Sequence, residues 1–352
     1  MPRPAPVPRV AVLIARHTGH GGRGDELFDY AGADAMDTAF LAAVHRAGFA
    51  SATMHAAGLD DIDTVVDALD CDVVINLCDG AGPTRDGLPG LEALAALERR
   101  GLPYTGSGAE GYAIGCDKIE MKQRMAAVGV PTPAWQRFTA SDEPLSPALS
   151  AAFPLFVKPR DSGGSVGIDL GSVVPDEAAL RVRLERVCAT YGEALVEQYI
   201  DGREVTVGVV DLARGVRAFP PLEIVFGDAF PAHRGIRTFE TKYDTHSPLY
   251  HGFQLDCPAD LPPALDRRLR ALSRRAWRAV RGRGYGRVDF RLDAAGRPFA
   301  LEVNANCSLE YSPTDRLECA LLPIAAAAGG MPFERLLRTL VADALRRGGA
   351  RS

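Results

Sequence analysis

The stretch Arg287-Val-Asp-Phe-Arg-Leu-Asp293, Ala-Ala-Gly-Arg297, Pro298-Phe-Ala-Leu-Glu-Val-Asn-Ala-Asn306 constrains this chain more than any other. Two runs of alternating apolar and polar residues flank a short loop, the pattern of a β-hairpin. If Ala294 to Arg297 form the loop, Leu292 pairs with Phe299, Asp289 with Glu302 and Arg287 with Asn304. Alternation then puts Arg287, Asp289, Glu302 and Asn304 on one face and Val288, Phe290, Leu301 and Val303 on the other. Directly opposed carboxylates destabilise a sheet, so the arrangement asks for a cation. An all-oxygen set of Asp, Glu and Asn suits Mg²⁺ rather than zinc or copper, and with it a phosphate. The competing reading is an ordinary hairpin with one solvated acidic face, because an antiparallel sheet needs cover on only one side.

The lysines are a second, independent pointer. Of forty basic residues only Lys118, Lys122, Lys158 and Lys242 are Lys, which leaves thirty-six Arg. Arg serves wherever a generic positive charge suffices, so a surviving Lys marks a place that needs a compact point charge, as a phosphate pocket does. Lys158 ends the apolar run Phe153-Pro-Leu-Phe-Val-Lys and enters Pro159-Arg-Asp-Ser-Gly-Gly-Ser-Val-Gly167, a loop whose amides and Ser165 hydroxyl are suited to cover phosphate oxygens. The Gly-Lys-Ser/Thr ending of a Walker A loop is absent.

Composition narrows the field. A chain of 352 residues, 47% apolar, is long enough for two or three cores. The net charge of −5 argues against a nucleic-acid partner. Seven cysteines without regular spacing point to a reducing cytoplasm rather than a disulfide framework or a zinc site. Val10-Ala-Val-Leu-Ile-Ala15 is too short for a signal segment or membrane span and reads as a buried strand. Gly19-His-Gly-Gly-Arg-Gly24 matches GxGxxG, but it stands several residues beyond that strand, and Ser51-Ala-Thr-Met-His55 lacks an acidic end for a ribose, so a dinucleotide site is set aside.

Elements alternate as βαβ units through the first third: helix Asp34 to Ala47, a strand near Ala52, helix Ile62 to Leu69, strand Val73 to Leu77, helix Gly90 to Arg100 and a strand at Tyr104. A parallel sheet follows from that order. Lys118 to Gly129 reads as a helix stopped by Pro131-Thr-Pro133. The expected divisions are 1–117, a parallel α/β substrate domain; 118–197, a small sheet-and-helix unit; and 198–352, which contains strand Val205 to Val210, an irregular segment from Gly227 to Pro258, helix Ala264 to Gly282, the hairpin and a closing helix Phe333 to Arg347. The irregular segment carries His233, Arg234, Arg237, Lys242, Tyr243, His246 and His251, too long and too cationic for a passive connection. A solvated surface loop is the plainer alternative.

These residues carry a resemblance. Asp86-Gly-Leu-Pro-Gly90, Leu102-Pro-Tyr-Thr-Gly-Ser-Gly108, Cys116-Asp-Lys118, Val157-Lys-Pro159 with Gly163-Gly-Ser-Val-Gly167, Val196-Glu-Gln-Tyr-Ile200, Thr241-Lys-Tyr243, Gly286-Arg-Val-Asp289 and Leu301-Glu-Val-Asn304 occur in an order and at a spacing that resemble the ATP-grasp superfamily, in particular the D-alanine:D-alanine ligase family, over nearly the whole length. The resemblance implies an ATP-grasp fold, α/β and α+β, with an N-terminal parallel-sheet domain and a nucleotide site between two α+β subdomains. It implies an ADP-forming carboxylate-amine ligase that uses ATP and Mg²⁺, two ions with Mn²⁺ able to substitute, and makes an amide through an acyl phosphate. Lys118, Lys158, Gly163 and Gly164 would hold the phosphates, Glu197, Gln198, Tyr199 and Ile200 the adenine, and Glu204 the ribose. Asp289, Glu302 and Asn304 would ligate metal. Arg287, Lys242, Tyr243 and Ser165 would serve catalysis, and the 227–258 segment would be a flap that keeps an acyl phosphate dry. For Arg287 a purely structural ion pair with Asp289 stays open.

Departures touch the substrate end. Gly164-Ser165 replaces the family's Ser-Ser, Asp79-Gly80 replaces His-Gly, and Asn304-Ala-Asn-Cys-Ser-Leu309 replaces Asn-Thr-x-Pro-Gly-Met. The Glu that should hold the first substrate's ammonium is missing, with Glu26 or Asp29 as stand-ins. Asp79, Ser308, Glu310 and Tyr311 are therefore candidate contacts to the amino-acid-like substrates. Ligation of amino acids other than two D-alanines, in specialised metabolism, is the leading expectation. D-alanine:D-alanine ligation for the cell wall and a non-catalytic ATP-binding sensor are the alternatives. Neither nucleic acid nor membrane is an expected partner, and a homodimer is left open.

Overall fold

The computed structural model describes residues 6–16, 33–80, 87–213, 215–231, 235–312 and 319–349. The first sheet is parallel, ordered β2-β1-β3, from β1 (Arg9–Ala15), β2 (Ser51–Ala57) and β3 (Val73–Asn76). Helices α1 (Ala33–Arg46), α2 (Ile62–Ala68), α3 (Gly90–Arg100) and α4 (Ala109–Cys116) alternate with or follow these strands. Ala11, Leu13 and Ala15 pack with α2 and α3 on one face, and Val10 and Val12 with α1 on the other. Burial on both faces explains the unbroken apolar run of β1. Tyr104, expected as a strand, makes only a single parallel bridge to Val74.

Helix α5 (Lys118–Ala127) starts on Asp117, whose carboxylate accepts the amides of Ile119 (3.0 Å) and Glu120 (3.1 Å). Such a cap contributes about 1 kcal/mol, and here it also fixes the direction of Lys118 and Lys122, which lie one turn apart on one face. Met121 and Met125 of the same helix join the large core that includes Trp277 and Val303. A second sheet follows, antiparallel and ordered β4-β7-β5-β6, from β4 (Trp135–Phe138), β5 (Leu155–Pro159), β6 (Val173–Val174) and β7 (Ala194–Gln198). With it go α6 (Pro147–Ser150) and α7 (Glu177–Tyr191), the latter packed through Leu180, Leu184 and Val187.

The third sheet is ordered β11-β10-β8-β12-β13, with β9 on β8. Its strands are β8 (Arg203–Leu212), β9 (Gly215–Ala218), β10 (Leu222–Phe226), β11 (Phe253–Asp256), β12 (Tyr285–Leu292) and β13 (Pro298–Ala305), accompanied by α8 (Glu240–Tyr243), α9 (Pro263–Ala279), α10 (Leu321–Ala328) and α11 (Phe333–Gly349). The 227–258 segment is thus less irregular than expected: α8 forms inside it and β11 extends the sheet by pairing with β10. Helix α9 buries Leu269, Leu272, Ala276 and Trp277 at helical spacing against one sheet face. Helix α11 returns to the first sheet, where Leu336, Leu337 and Leu340 share a core with Val12 and Val73. No described helix is long and apolar enough to cross a membrane.

Candidate active site

The hairpin forms with the expected pairing at its functional end: Asp289 opposes Glu302 and Arg287 opposes Asn304. At its loop end the register is corrected. A bulge after Asp289 pairs Phe290 with Ala300 and Leu292 with Pro298, so Leu292 does not meet Phe299. Ala300, not Leu301, enters the core beside Phe290 and Val288, and Leu301 is only partly buried. A bulge inserts one residue in one strand and so changes which side chain faces the core.

Across the sheet β12 also pairs with β8, setting Thr206 beside Asp289 and Glu204 beside Arg291. Asn304 Nδ2 donates to Asp289 Oδ2 (2.8 Å) and Glu302 Oε1 (3.2 Å), Thr206 donates to Asp289, and Arg287 Nε lies 3.2 Å from Asp289 Oδ2. Both functions read for Arg287 are compatible with this ion pair. Burial alone would raise the Glu302 carboxyl, but Lys158, Lys118, Arg287 and Lys242 outweigh it and bring it to about 2. Two opposed carboxylates and a side-chain amide fit a hard divalent cation. No group of three or more His, Cys, Asp or Glu able to hold a metal occurs among the described residues, so the third ligand falls to Asn304.

The lysines line one wall. Lys118, 7% exposed, donates to the Ser162 carbonyl at the base of the glycine-rich loop, and burial with the neighbouring Lys158 brings its amine down to about 8. Lys158, 4% exposed, contacts Glu197 at 2.6 Å, and Glu197 with Glu302 keeps its amine raised despite burial. Lys122, 0% exposed, holds the other oxygen of Glu197. Glu197 is thus no surface carboxylate: it is 2% exposed and clamped between two lysines. Beyond it, the amides of Gln198 and Tyr199 already donate to Ala134 and Pro154 carbonyls, whereas the Ile200 amide has no partner among the described residues. Glu204 lies 3.5 Å from Arg291, and burial with Asp289 raises its carboxyl.

The glycine-rich loop is closed against the segment 236–243. Ser165, in the left-handed region at φ 65°, donates its hydroxyl to the Arg237 carbonyl (2.8 Å), and Phe239 N donates to Ile168 O (3.0 Å). The Ser165 hydroxyl thus ties the glycine-rich loop to the facing segment. A Cβ at Gly164 (φ 57°) would stand 2.8 Å from the Tyr243 hydroxyl, so Tyr243 occupies the space that the family's first Ser would need. Lys242 is half-buried, and desolvation with the neighbouring Arg237 and Arg287 lowers its amine to about 8.

The substrate end is assembled differently. Asn306, at φ 57°, accepts the Ser107 amide through Oδ1 (2.5 Å) and donates to the Ser107 carbonyl (3.3 Å), tying the loop after the hairpin to the first domain. A Cβ at Gly106 would stand 2.2 Å from Asn306 Oδ1, so only glycine fits there. Asp79, at the end of β3, accepts from Tyr112 and from the Gly80 amide (2.9 Å). Ser308 accepts the Glu310 amide (3.1 Å). Glu310 is exposed by surface area, and desolvation of its carboxyl by neighbouring atoms, then Asp79 and Asp37, raises it. Tyr311 stacks its ring on Phe333 at 4.2 Å and 7°. Glu26 and Asp29, and with them His233 and Arg234, lie outside the described residues.

Sequence reasoning passed over Lys122, Thr206 and Arg291. Lys122 was detectable as one of four lysines, one turn from Lys118. Arg291 continues the alternation of Arg287 and Asp289, and its guanidinium donates to the Gly202 carbonyl (2.8 Å) and the Gly235 carbonyl. Thr206 offered no motif.

Buried lysines of α5 and β5 set beside the acidic β12–β13 hairpin are the arrangement of an ATP-grasp enzyme. The family profile described as D-ala D-ala ligase C-terminus matches residues 124–342. The D-alanine–D-alanine ligase of Halorhodospira halophila is 33% identical over 348 residues, 98% of this chain and 99% of that one. That of Bordetella pertussis is 35% identical over 249 residues, 71% and 72% of the two chains. Among solved structures, the Bacillus anthracis D-alanine–D-alanine ligase complexed with ATP superposes with a TM-score of 0.73 at 22% identity, covering 99% of this chain and 100% of that one. The Coxiella burnetii enzyme gives 0.67 at 17% identity over 97% and 96%. The chain belongs to the D-alanine–D-alanine ligase family. It is an ADP-forming ATP-grasp ligase that uses ATP and Mg²⁺.

Proposed function

We propose that the protein joins D-alanine to a second D-alanine. The support is the 33% identity to a ligase of that name over 98% of the chain, together with the intact Arg287, Asp289, Glu302 and Asn304 set. This favours the cell-wall reading over the expectation of other substrates and leaves no place for a sensor without activity.

In the proposed reaction a carboxylate oxygen of the first amino acid attacks the γ-phosphorus of ATP and ADP departs, leaving an acyl phosphate. The amine of the second amino acid then attacks the acyl carbon, and phosphate leaves with the formation of the amide. Lys118 and Lys158 would bind the α and β phosphates, the free amide of Ile200 the adenine, and Glu204 the ribose. Arg287 and Lys242 would stabilise the charge of the transferring phosphoryl group, then that of the tetrahedral oxyanion. Asp289, Glu302 and Asn304 would hold Mg²⁺, which would supply neutralisation of phosphate charge. The latched loop keeps water from the acyl phosphate. The divisions at 117/118 and 197/198 are proposed as the units that move in closure, and a reducing cytoplasm suits seven free cysteines.

A second reading, an acceptor other than D-alanine in specialised metabolism, is favoured by one observation. The acceptor side presents Glu310 and Asp79, both exposed carboxylates, where a substrate carboxylate must enter. ADP release and product mass, measured with D-alanine alone and with a panel of amines, separate the two. Saturable D-alanyl-D-alanine formation supports the first. Turnover that needs another amine supports the second, and ADP release that no substrate stimulates removes both.

A further inference from the structure

Arg237 sits in the cleft with its charge unspent. Its guanidinium lies 4.2 Å from the centroid of Phe253, and its Nε is buried without an acceptor. No side-chain hydrogen bond or ion pair of Arg237 occurs among the described residues; only its carbonyl is used, by Ser165. The nearby carboxylates are committed elsewhere, Glu204 to Arg291 and Asp289 to Arg287, Asn304 and Thr206. Lys242 likewise has no ion pair among the described residues, and burial together with Arg287 depresses both Arg237 (to about 10) and Lys242 (to about 8). Arg237 is half-buried, and a buried guanidinium nitrogen without an acceptor is uncommon in native proteins. Two unpaired cations beside Arg287 call for a ligand with several negative oxygens, and a single substrate carboxylate is too little.

We propose that Arg237 binds the polyphosphate of ATP, adding a third cation to Lys242 and Arg287 and joining the nucleotide to the lid through its own carbonyl on Ser165. This rests on the ATP site and not on the identity of the amino acids. Phe253 fixes the guanidinium plane and leaves its edge for phosphate. Because the side chain is an unsatisfied charge in the free enzyme, removing it relieves the fold while weakening the nucleotide, a pair of effects that a structural arginine would not give.

Calorimetric titration without amino acids tests the proposal. Arg237→Gln is expected to weaken ATP and ADP at least tenfold, leave adenosine unchanged, and keep or raise the melting temperature of the free protein. Arg237→Lys is expected to retain part of the ATP affinity, and it supplies the same reading should the Gln chain not fold. ATP binding equal to wild type in both variants overturns the proposal. So does an equal loss for adenosine, or a rise in amino-acid KM with ATP affinity intact.

Discussion

The β12–β13 hairpin and the loop that follows it, residues 306–312, are contiguous in sequence and face the same cleft, yet they are held in opposite ways. In the hairpin the backbone ladder sets each side chain, so Asp289 opposes Glu302 whatever else changes. In the loop only two backbone–backbone bonds are made among the described residues, Asn306 N to Tyr285 O and Ala320 N to Glu310 O, and position depends largely on side chains: Asn306 on Ser107, Ser308 on the Glu310 amide, and Tyr311 on Phe333. A ladder tolerates little variation in register, whereas a loop admits new side chains at little cost to the fold. The half proposed to handle phosphate is therefore set by a ladder, and the half proposed to meet the acceptor is where this chain departs from its family.

Changes in the rigid half should have the larger effects. Glu302→Gln is expected to lower kcat by more than about a hundredfold with the melting temperature nearly kept, because a metal carboxylate acts chiefly on transition-state charge. Turnover near wild type from the folded variant would remove the hairpin from the chemistry. Lys158→Arg keeps the charge but places a planar fork where Glu197, Lys122 and Lys158 pack without exposure. ATP affinity should fall roughly tenfold on that ground, and an unchanged KM for ATP would make Lys158 incidental.

Protonation sharpens the same contrast. Lys118 and Lys242 are held at about 8, below the usual 10.5, so between about pH 8 and 10.5 the unfolded chain binds more protons than the folded one. Free-enzyme stability contributed by these groups accordingly rises with pH across that window. Nucleotide binding needs the charged amines, and ATP affinity should fall up to roughly tenfold per lysine from pH 8 to 9. An affinity flat across this range would show that neither amine meets phosphate. In the loop half, Glu310→Gln removes a carboxylate that costs the acceptor's carboxylate about 1 kcal/mol. KM for the acceptor D-alanine should drop about fivefold with kcat little changed, and no change would place Glu310 outside the acceptor's reach.

What the sequence disclosed follows the same division. Period-two alternation brought Asp289, Glu302 and Asn304 to one end of the hairpin, and the four lysines against an arginine background pointed to the cations around Glu302, since strand periodicity maps directly onto faces. The bulge that swaps Leu301 for Ala300 left no mark in the pattern, because both residues are apolar. The latch between Ser165 and the Arg237 carbonyl was illegible for another reason: it joins residues 72 apart through a backbone oxygen, which no residue type announces. Strand β11 was hidden inside a cationic segment of mixed composition, and the stacking of Tyr311 on Phe333 left no signal because no motif links the two aromatics.

The most direct test is product analysis with D-alanine and ATP as the only substrates. D-alanine-dependent ADP release that saturates, with one dipeptide of the mass of D-alanyl-D-alanine per ADP, is the result expected. A folded, ATP-binding protein that releases ADP only when a different amine is added, and never forms that dipeptide, would contradict it.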